Sequence, residues 1–333
     1  MLINNKQLEK KKLSNLFLNT TQHASTKLSF SDRIKHFSLR LGINREKTAI
    51  NTGIYSVGNP STISPVFVSA NYLMSFNYLR SSLNNVDAWI MVIDTKGINV
   101  WCAAGKGTFG TEEIARCINK FNLSKIIDHK NIIVPQLGAS GVSSFEIKKL
   151  TGFTVIYGPV ESKDIQQFIN ASYKATKEMR KINFDLWDRV ILIPVEIIQT
   201  LKYLIPVSIL LYFTSTPLLY GLLFSVFSGL IITPILLPYI PFRSFILKGW
   251  FIGLLVESIL FAYFNNFGVF GIIGSLLLFS AISSYLAFNF TGCTTFTSPS
   301  GVQKELEMYI KPLIYSAGAG LIIICFHFVR SLI

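Results

Sequence analysis

Residues Ala88-Trp-Ile-Met-Val-Ile-Asp94 are apolar almost without a break, and Thr95-Lys-Gly-Ile98 leads from them into Asn99-Val-Trp-Cys-Ala-Ala-Gly-Lys-Gly107. The first piece predicts a strand buried on both faces, as in a parallel sheet covered by helices. In the second, Asn99 and the small Ala103 and Ala104 suit a short helix, one face of which lies close against something flat. A single thiol, Cys102, sits in the middle of it.

Working outward, strand and helix periods alternate. Val66 to Ser69 reads as a strand, and Tyr72, Phe76, Leu79 and Leu83 then recur at helical spacing. Thr111 caps a helix with Glu112 and Glu113 in its first turn, where the helix dipole favours acids. Its stripe of Ile114, Ile118 and Phe121 makes Cys117 a core residue. Ile132 to Val134 and Phe153 to Tyr157 read as further strands, with a short helix from Phe145 to Leu150 between them. A long helix is predicted from Ser162 to Arg180, with Ile165, Phe168, Ile169, Thr176 and Met179 on one side. This alternation predicts a Rossmann-like α/β domain with a parallel sheet covered on both faces. Ligands of such sheets bind outside the carboxyl ends of the strands, so the loops after Ser69, Asp94, Val134 and Tyr157 share one rim with the cysteine stretch.

Charge is spread unevenly. Residues 1–189 hold 25 Lys and Arg against 14 Asp and Glu, whereas the last 144 residues hold only ten charged groups. That asymmetry predicts a basic soluble part followed by an all-α multi-span membrane domain. The boundaries read as a poorly ordered basic arm over 1–50, an α/β domain over 51–189 and a transmembrane domain over 190–333. About five helices, near 197–213, 217–238, 249–264, 267–287 and 312–328, are apolar enough to cross. The arm shows no apolar core of signal-peptide type, which places the α/β domain in the cytoplasm and the chain as a multi-pass protein of the inner membrane. Lys and Arg then fall mostly on the inner loops, with Asn265-Asn266 outside and Arg330 the exception. The net charge of +13 fits attraction to an anionic leaflet; nucleic acid is disfavoured because basic residues are not interleaved with aromatics.

Two readings stand for Cys102. It is a small buried hydrophobe, or it is a thiolate at a helix start with Lys106 close by. One thiolate is too few for a zinc or iron-sulfur site, so it fits best as one axial ligand to a metal held in a macrocycle. Cys102, Cys117, Cys293 and Cys325 form no C-x-x-C pair, which leaves any electrons to come from another protein. Gly105-Lys-Gly-Thr-Phe-Gly110 satisfies a dinucleotide G-x-G-x-x-G with Asp128 beyond it, but ten residues part it from the strand at Asp94, whereas that motif follows its strand directly. Glu257, inside the third span, is a functional candidate by its position or a hydrogen-bonding partner of a neighbouring helix.

Asn99 to Lys106 resembles the cap-helix signature of the mercury-methylating corrinoid proteins, the HgcA family. It is similar, more distantly, to the corrinoid domain of the acetyl-CoA pathway corrinoid iron-sulfur protein. Ser64-Pro-Val66, Ala70-Asn-Tyr72, Asp94 to Ile98, Gly107 to Thr111 and Pro135-Gln-Leu-Gly-Ala139 carry the likeness further, as does the polar loop Phe290 to Gly301 that holds Cys293. The resemblance implies a cobalamin-type corrinoid with Cys102 as the lower axial ligand of cobalt. Four histidines without an Asp-x-His-x-x-Gly arrangement leave Cys102 as the protein ligand. Ser69, Asn99, Val100, Trp101, Ala103, Ala104, Gly105 and Lys106 are implied around the corrin. The implied activity is a corrinoid-dependent methyltransferase that passes a methyl group from cobalt to mercury(II), thiolate donation favouring its departure as a carbanion equivalent. A ferredoxin-like iron-sulfur partner (HgcB-type) and a methyl-tetrahydrofolate-type methyl donor protein are implied with it. Cys293 is either a thiolate handing mercury along or part of a loop whose Thr and Ser cap the next segment. Two other readings are a corrinoid methyl carrier of one-carbon metabolism and a non-catalytic nucleotide-binding module on a membrane anchor.

Overall fold

A computed structural model describes residues 21–43, 48–264, 267–294 and 296–332. Its contacts divide it into two units that part in sequence between Ile182 and Asn183, residues 40–42 grouping with the second.

The first unit is built on a sheet of six strands: β1 (Gln22–His23), β2 (Gly53–Val57), β3 (Val66–Ala70), β4 (Ala88–Ile93), β5 (Asn131–Val134) and β6 (Thr154–Tyr157), in the order β1-β2-β4-β3-β5-β6. The four strands legible in the sequence, β3 to β6, run parallel. Helices α1 (Phe30–Arg40), α2 (Leu73–Ser82), α3 (Val100–Gly105), α4 (Thr111–Lys120), α5 (Leu123–Ile126), α6 (Ser144–Thr151) and α7 (Ile165–Asn170) complete the unit. Every residue of β4 is buried, as its unbroken apolar run requires. Val66, Val68 and Ala70 pack on one face with Val100, Ala103, Ile114 and Ile118. Phe67, Ile90 and Val92 pack on the other with Phe76 and Phe168.

Two expectations are corrected. The sheet is not purely parallel, because β2 joins β4 antiparallel, pairing Tyr55 with Ile90, and β1 then adds to β2. The helix predicted over 162–180 ends at Asn170, because Ser172 and Tyr173 take left-handed backbone angles (φ 54° and 62°), which a helix cannot continue.

Of the arm over 1–50, residues 1–20 and 44–47 lie outside the described residues; the rest carries β1 and α1. Arg80, buried on α2, donates to the Asn77 side-chain oxygen at 2.7 Å, the Lys27 backbone oxygen at 3.1 Å and the Ser25 backbone oxygen. It also pairs with Asp32 of α1 at 2.7 Å. Burial pushes the Asp32 carboxyl up, but its bonds from Ser29 and Arg80 outweigh that and hold it below the usual carboxylate range.

The second unit consists of α8 (Leu186–Val190), α9 (Ile193–Thr214), α10 (Thr216–Phe227), α11 (Thr233–Leu236), α12 (Phe245–Tyr263), α13 (Val269–Asn289) and α14 (Pro299–Leu332). Five helical stretches are long and apolar enough to cross a membrane: Leu186–Thr214, Thr216–Leu236, Phe245–Tyr263, Val269–Gly292 and Ser300–Arg330. These match the five spans read from the sequence, with longer first and last helices. Small residues let the helices close, as is usual where packing cannot rely on water exclusion. A Cβ at Gly253 would lie 2.6 Å from Ser283 Cβ, and one at Gly320 would lie 2.7 Å from the Gly274 oxygen. The Ser283 hydroxyl donates to the Gly249 oxygen at 2.9 Å and that of Ser284 to the Ile246 oxygen at 2.7 Å.

Candidate functional site at the carboxyl ends of the strands

Asn71, directly after β3, organises the rim. Its side-chain oxygen accepts from Thr95 N at 3.0 Å, Thr95 Oγ1 at 2.9 Å and Gly97 N at 3.0 Å, and its amide donates to Asp94 Oδ1 at 3.0 Å. Asp94 Oδ1 also accepts from Lys96 N at 2.9 Å. These bonds hold the loop after β4 in a tight turn in which Lys96 and Gly97 are both left-handed (φ 57° and 69°). Thr95 is fully buried. The turn delivers Asn99 in extended backbone, where its side-chain oxygen caps α3 by accepting from Cys102 N at 2.9 Å. Asn71 and Thr95 went unassigned in the sequence; an Asn at a strand end facing an Asp-Thr-Lys-Gly turn is the signal that marks them.

Helix α3 has an inner and an outer face. Val100, Ala103 and Ala104 are buried, whereas Trp101, Cys102, Gly105 and Lys106 are exposed. The close approach expected of Ala103 and Ala104 is made to the protein itself. A Cβ at Gly141 would overlap the Phe109 backbone oxygen and sit 3.1 Å from that of Ala104, and one at Gly138 would sit 2.5 Å from the Phe109 ring. The two alanines therefore seat the helix on the loop 138–141 and leave the outer face to any ligand. Cys102 is a free, exposed thiol, so the reading of it as a small buried hydrophobe is overturned. Ser69 is buried, its hydroxyl donating to the Ala70 oxygen at 3.2 Å. The pleat turns it toward the face of Phe67, away from the face on which α3 packs, so the structure does not bring Ser69 to Cys102.

Behind the rim, Glu113 of α4 accepts from Asp94 N at 3.2 Å, from Arg116 at 2.7 Å through two nitrogens, and from Cys117 Sγ at 3.3 Å. Burial raises the Glu113 carboxyl, but the bonds from Arg116, Cys117 and Asp94 prevail and lower it. Burial first, and then the adjacent Glu113, push the Cys117 thiol up to about 12. Cys117 is buried, the core residue the helical spacing predicts.

Two histidines of the first unit are engaged elsewhere, His36 with Asn77 at 2.8 Å and His129 with the Ser64 oxygen at 2.9 Å, and His23 lies on β1 at the sheet edge. Asp128 accepts from Thr62 Oγ1 at 2.5 Å ahead of β5, at the opposite end of the sheet from Gly105 to Gly110, which tells against the dinucleotide reading. Among the described residues no three His, Cys, Asp or Glu side chains gather. One exposed soft donor beside an exposed indole fits a metal already held by a macrocycle. Glu257 and Cys293 belong to the second unit; Glu257 is buried within α12, and the side chain of Cys293 lies outside the described residues.

Fold and rim together define an α/β domain with an exposed thiol on a short helix at the carboxyl ends of its strands, followed by five helices long and apolar enough to cross a membrane. Residues 37–169 match the family described as CO dehydrogenase/acetyl-CoA synthase delta subunit (CdhD). The chain is 30% identical over 142 residues to the acetyl-CoA decarbonylase/synthase complex subunit gamma of Methanocaldococcus jannaschii, covering 42% of this chain and 29% of that one. It is 26% identical over 127 residues to the subunit gamma of Methanopyrus kandleri, covering 38% of this chain and 27% of that one. Against subunit gamma 2 of Methanosarcina thermophila it is 31% identical over 122 residues, covering 35% and 26%. The matched stretch thus spans less than a third of the length of these relatives.

Proposed function

We propose that the first unit binds a corrinoid at the rim with Cys102 as the protein ligand to its cobalt, and that the chain is a membrane-anchored methyl carrier of one-carbon metabolism. The observation that carries this reading is Cys102 standing exposed on a cap helix whose geometry is fixed from behind. The likeness to acetyl-CoA decarbonylase/synthase subunits supports the methyl-carrier role more than mercury as acceptor.

A bound corrinoid supplies a cobalt centre able to accept and release a methyl group. The residues of this chain hold and present it. Asn99 fixes the backbone of Cys102, so that the thiol sulfur is delivered on the outer face. Trp101 offers an exposed aromatic surface to the ring, and Lys106 a cation to its polar periphery. The loop 138–141 backs the helix so that it cannot sink into the sheet.

Mercury(II) as acceptor is the second reading, favoured by the resemblance of residues 99–106 and 290–301 to the mercury-methylating proteins. Cys102 would give such a centre a charge-donating sulfur, the kind of donor that suits methyl transfer to a soft electrophile. Either acceptor calls for protein partners, a methyl donor protein and a ferredoxin-like iron-sulfur reductant. The five apolar helices support a multi-pass place in the cell membrane, with the α/β unit on the cytoplasmic side.

X-ray absorption of the full chain loaded with cobalamin tests the ligand: a sulfur neighbour of cobalt is expected in the wild type and none in Cys102→Ala. An unchanged cobalt spectrum in that variant would remove Cys102 from the site. Methylmercury formation by cells with and without the gene then decides between the two acceptors.

A further inference from the structure

Glu257 is fully buried in α12, about 18 Å along the helix from its start at 1.5 Å per residue, and neither carboxyl oxygen has a hydrogen-bond partner. Ser275 of α13 is also fully buried, and its hydroxyl too is without a partner. The register of the two helices brings them to the same level. Gly249 lies against Ser284, and Gly253 one turn on lies against Ser280 and Ser283. The next turn of α12 therefore sets Glu257 against the 276–279 turn of α13, adjoining Ser275.

The other buried ionisable groups of this unit that touch the same helix are satisfied. Lys248 donates to the Leu237 and Ile240 oxygens, and Glu305 accepts from Ser244 Oγ at 2.8 Å and Ile246 N at 2.6 Å. On α10 and α13, which pack along α12, the ionisable side chains are Tyr220 and Tyr285, 42% and 50% exposed and so directed outward; α14 meets the start of α12 through Glu305. No counter-ion faces Glu257 among the described residues. A π-helical turn, Ser228–Ile232, packs on α12 and α13 at the serine-rich seam, Ser228 donating to Ser283 at 2.9 Å; such turns recur at functional sites.

An uncompensated buried carboxylate is costly, and the orphaned Ser275 hydroxyl at the same level of the facing helix is a second oxygen of the kind that hard monovalent cations take. We propose that Glu257 and Ser275 form a monovalent-cation site inside the second unit, filled by a proton or by a sodium ion. The site is separate from the rim of the first unit and does not depend on what that rim binds.

The test uses the full chain in nanodiscs and dicyclohexylcarbodiimide, a small apolar reagent that enters bilayers and modifies protonated carboxyl groups. Peptide mass spectrometry follows labelling of Glu257 from acid to alkaline pH, in sodium chloride or choline chloride. Labelling that falls about tenfold per pH unit on the alkaline limb, with sodium and choline alike, identifies the proton. Labelling slowed by sodium at fixed pH identifies sodium. Ser275→Ala should displace the pH or sodium dependence, and Glu257→Gln should abolish the labelled peptide. A cation site must be reachable and must respond to its cation. Absence of label on Glu257 in the wild type, or labelling indifferent to both pH and sodium, would overturn the proposal whether or not either variant folds.

Discussion

The side-chain oxygen of Asn99 accepts the backbone N–H of Cys102 at 2.9 Å, so the residue that starts the cap helix also fixes the one that carries its thiol. Asn99→Ala removes this cap, at a cost of about 1 kcal/mol. Faster hydrogen exchange at Cys102 is expected, with weaker retention of cobalamin by the loaded chain. Asn99→Ser keeps an acceptor at the position and should restore both; equal exchange in all three proteins would deny the cap its role.

Gly141 is the floor under α3. Its missing Cβ is what permits the Phe109 and Ala104 backbones to lie where they do. Gly141→Ala should cost about 1 to 3 kcal/mol, the range for forcing atoms into a filled interior. Urea unfolding of the full chain in nanodiscs reads this as a lower midpoint for the α/β unit. An unchanged midpoint would mean that the loop yields freely.

Cys117 and Cys102 should differ sharply toward iodoacetamide. With its pKa near 12 and its sulfur buried, Cys117 stays a thiol and is alkylated only after unfolding, whereas exposed Cys102 is modified in the native chain. The raised pKa also gives a sign for stability. From about pH 9, the ordinary value of the thiol, to about pH 12, the unfolded chain releases a proton that the folded chain keeps. Stability therefore falls as pH rises through that window. A flatter alkaline limb is expected in Cys117→Ala; an equally steep one assigns the loss to other groups.

Glu113 acts in the opposite direction. Its carboxyl is lowered in the fold from an ordinary value of 4.5, so its contribution is present above that value and is lost as pH falls through the folded one. Glu113→Gln should flatten acid unfolding of the α/β unit and loosen the turn at Asp94, read as faster exchange of the Asp94 amide. Wild-type acid behaviour in the variant would show that Arg116 and Cys117 hold the turn without it.

Much of the architecture follows from local pattern. The apolar runs at Val66 and Ala88 give parallel strands because residues buried on both faces leave no alternation to read. The spacing of Ile114 and Ile118 gives α4 its inner face. The expected helix from Ser162 failed because Ser172 and Tyr173 carry no residue-type signal for left-handed backbone, unlike the glycines of the rim. β2 was missed for a related reason: Gly53-Ile-Tyr-Ser-Val57 is short and lies beside a segment read as a loose arm, and its place at β4 is a long-range pairing.

By itself the sequence determined the strand and helix alternation, the five apolar spans and the position of a lone thiol at the rim, since each depends on residue type and spacing over a few turns. Only the tertiary structure decided which side of each element faces what. It turned Cys102 outward and Ala104 inward, sent Ser69 to the far face of the sheet, gave Asn71 the task of holding the turn at Thr95, and left Glu257 without a partner. Those outcomes depend on contacts between residues distant in the chain, whose register is set by packing of the whole unit.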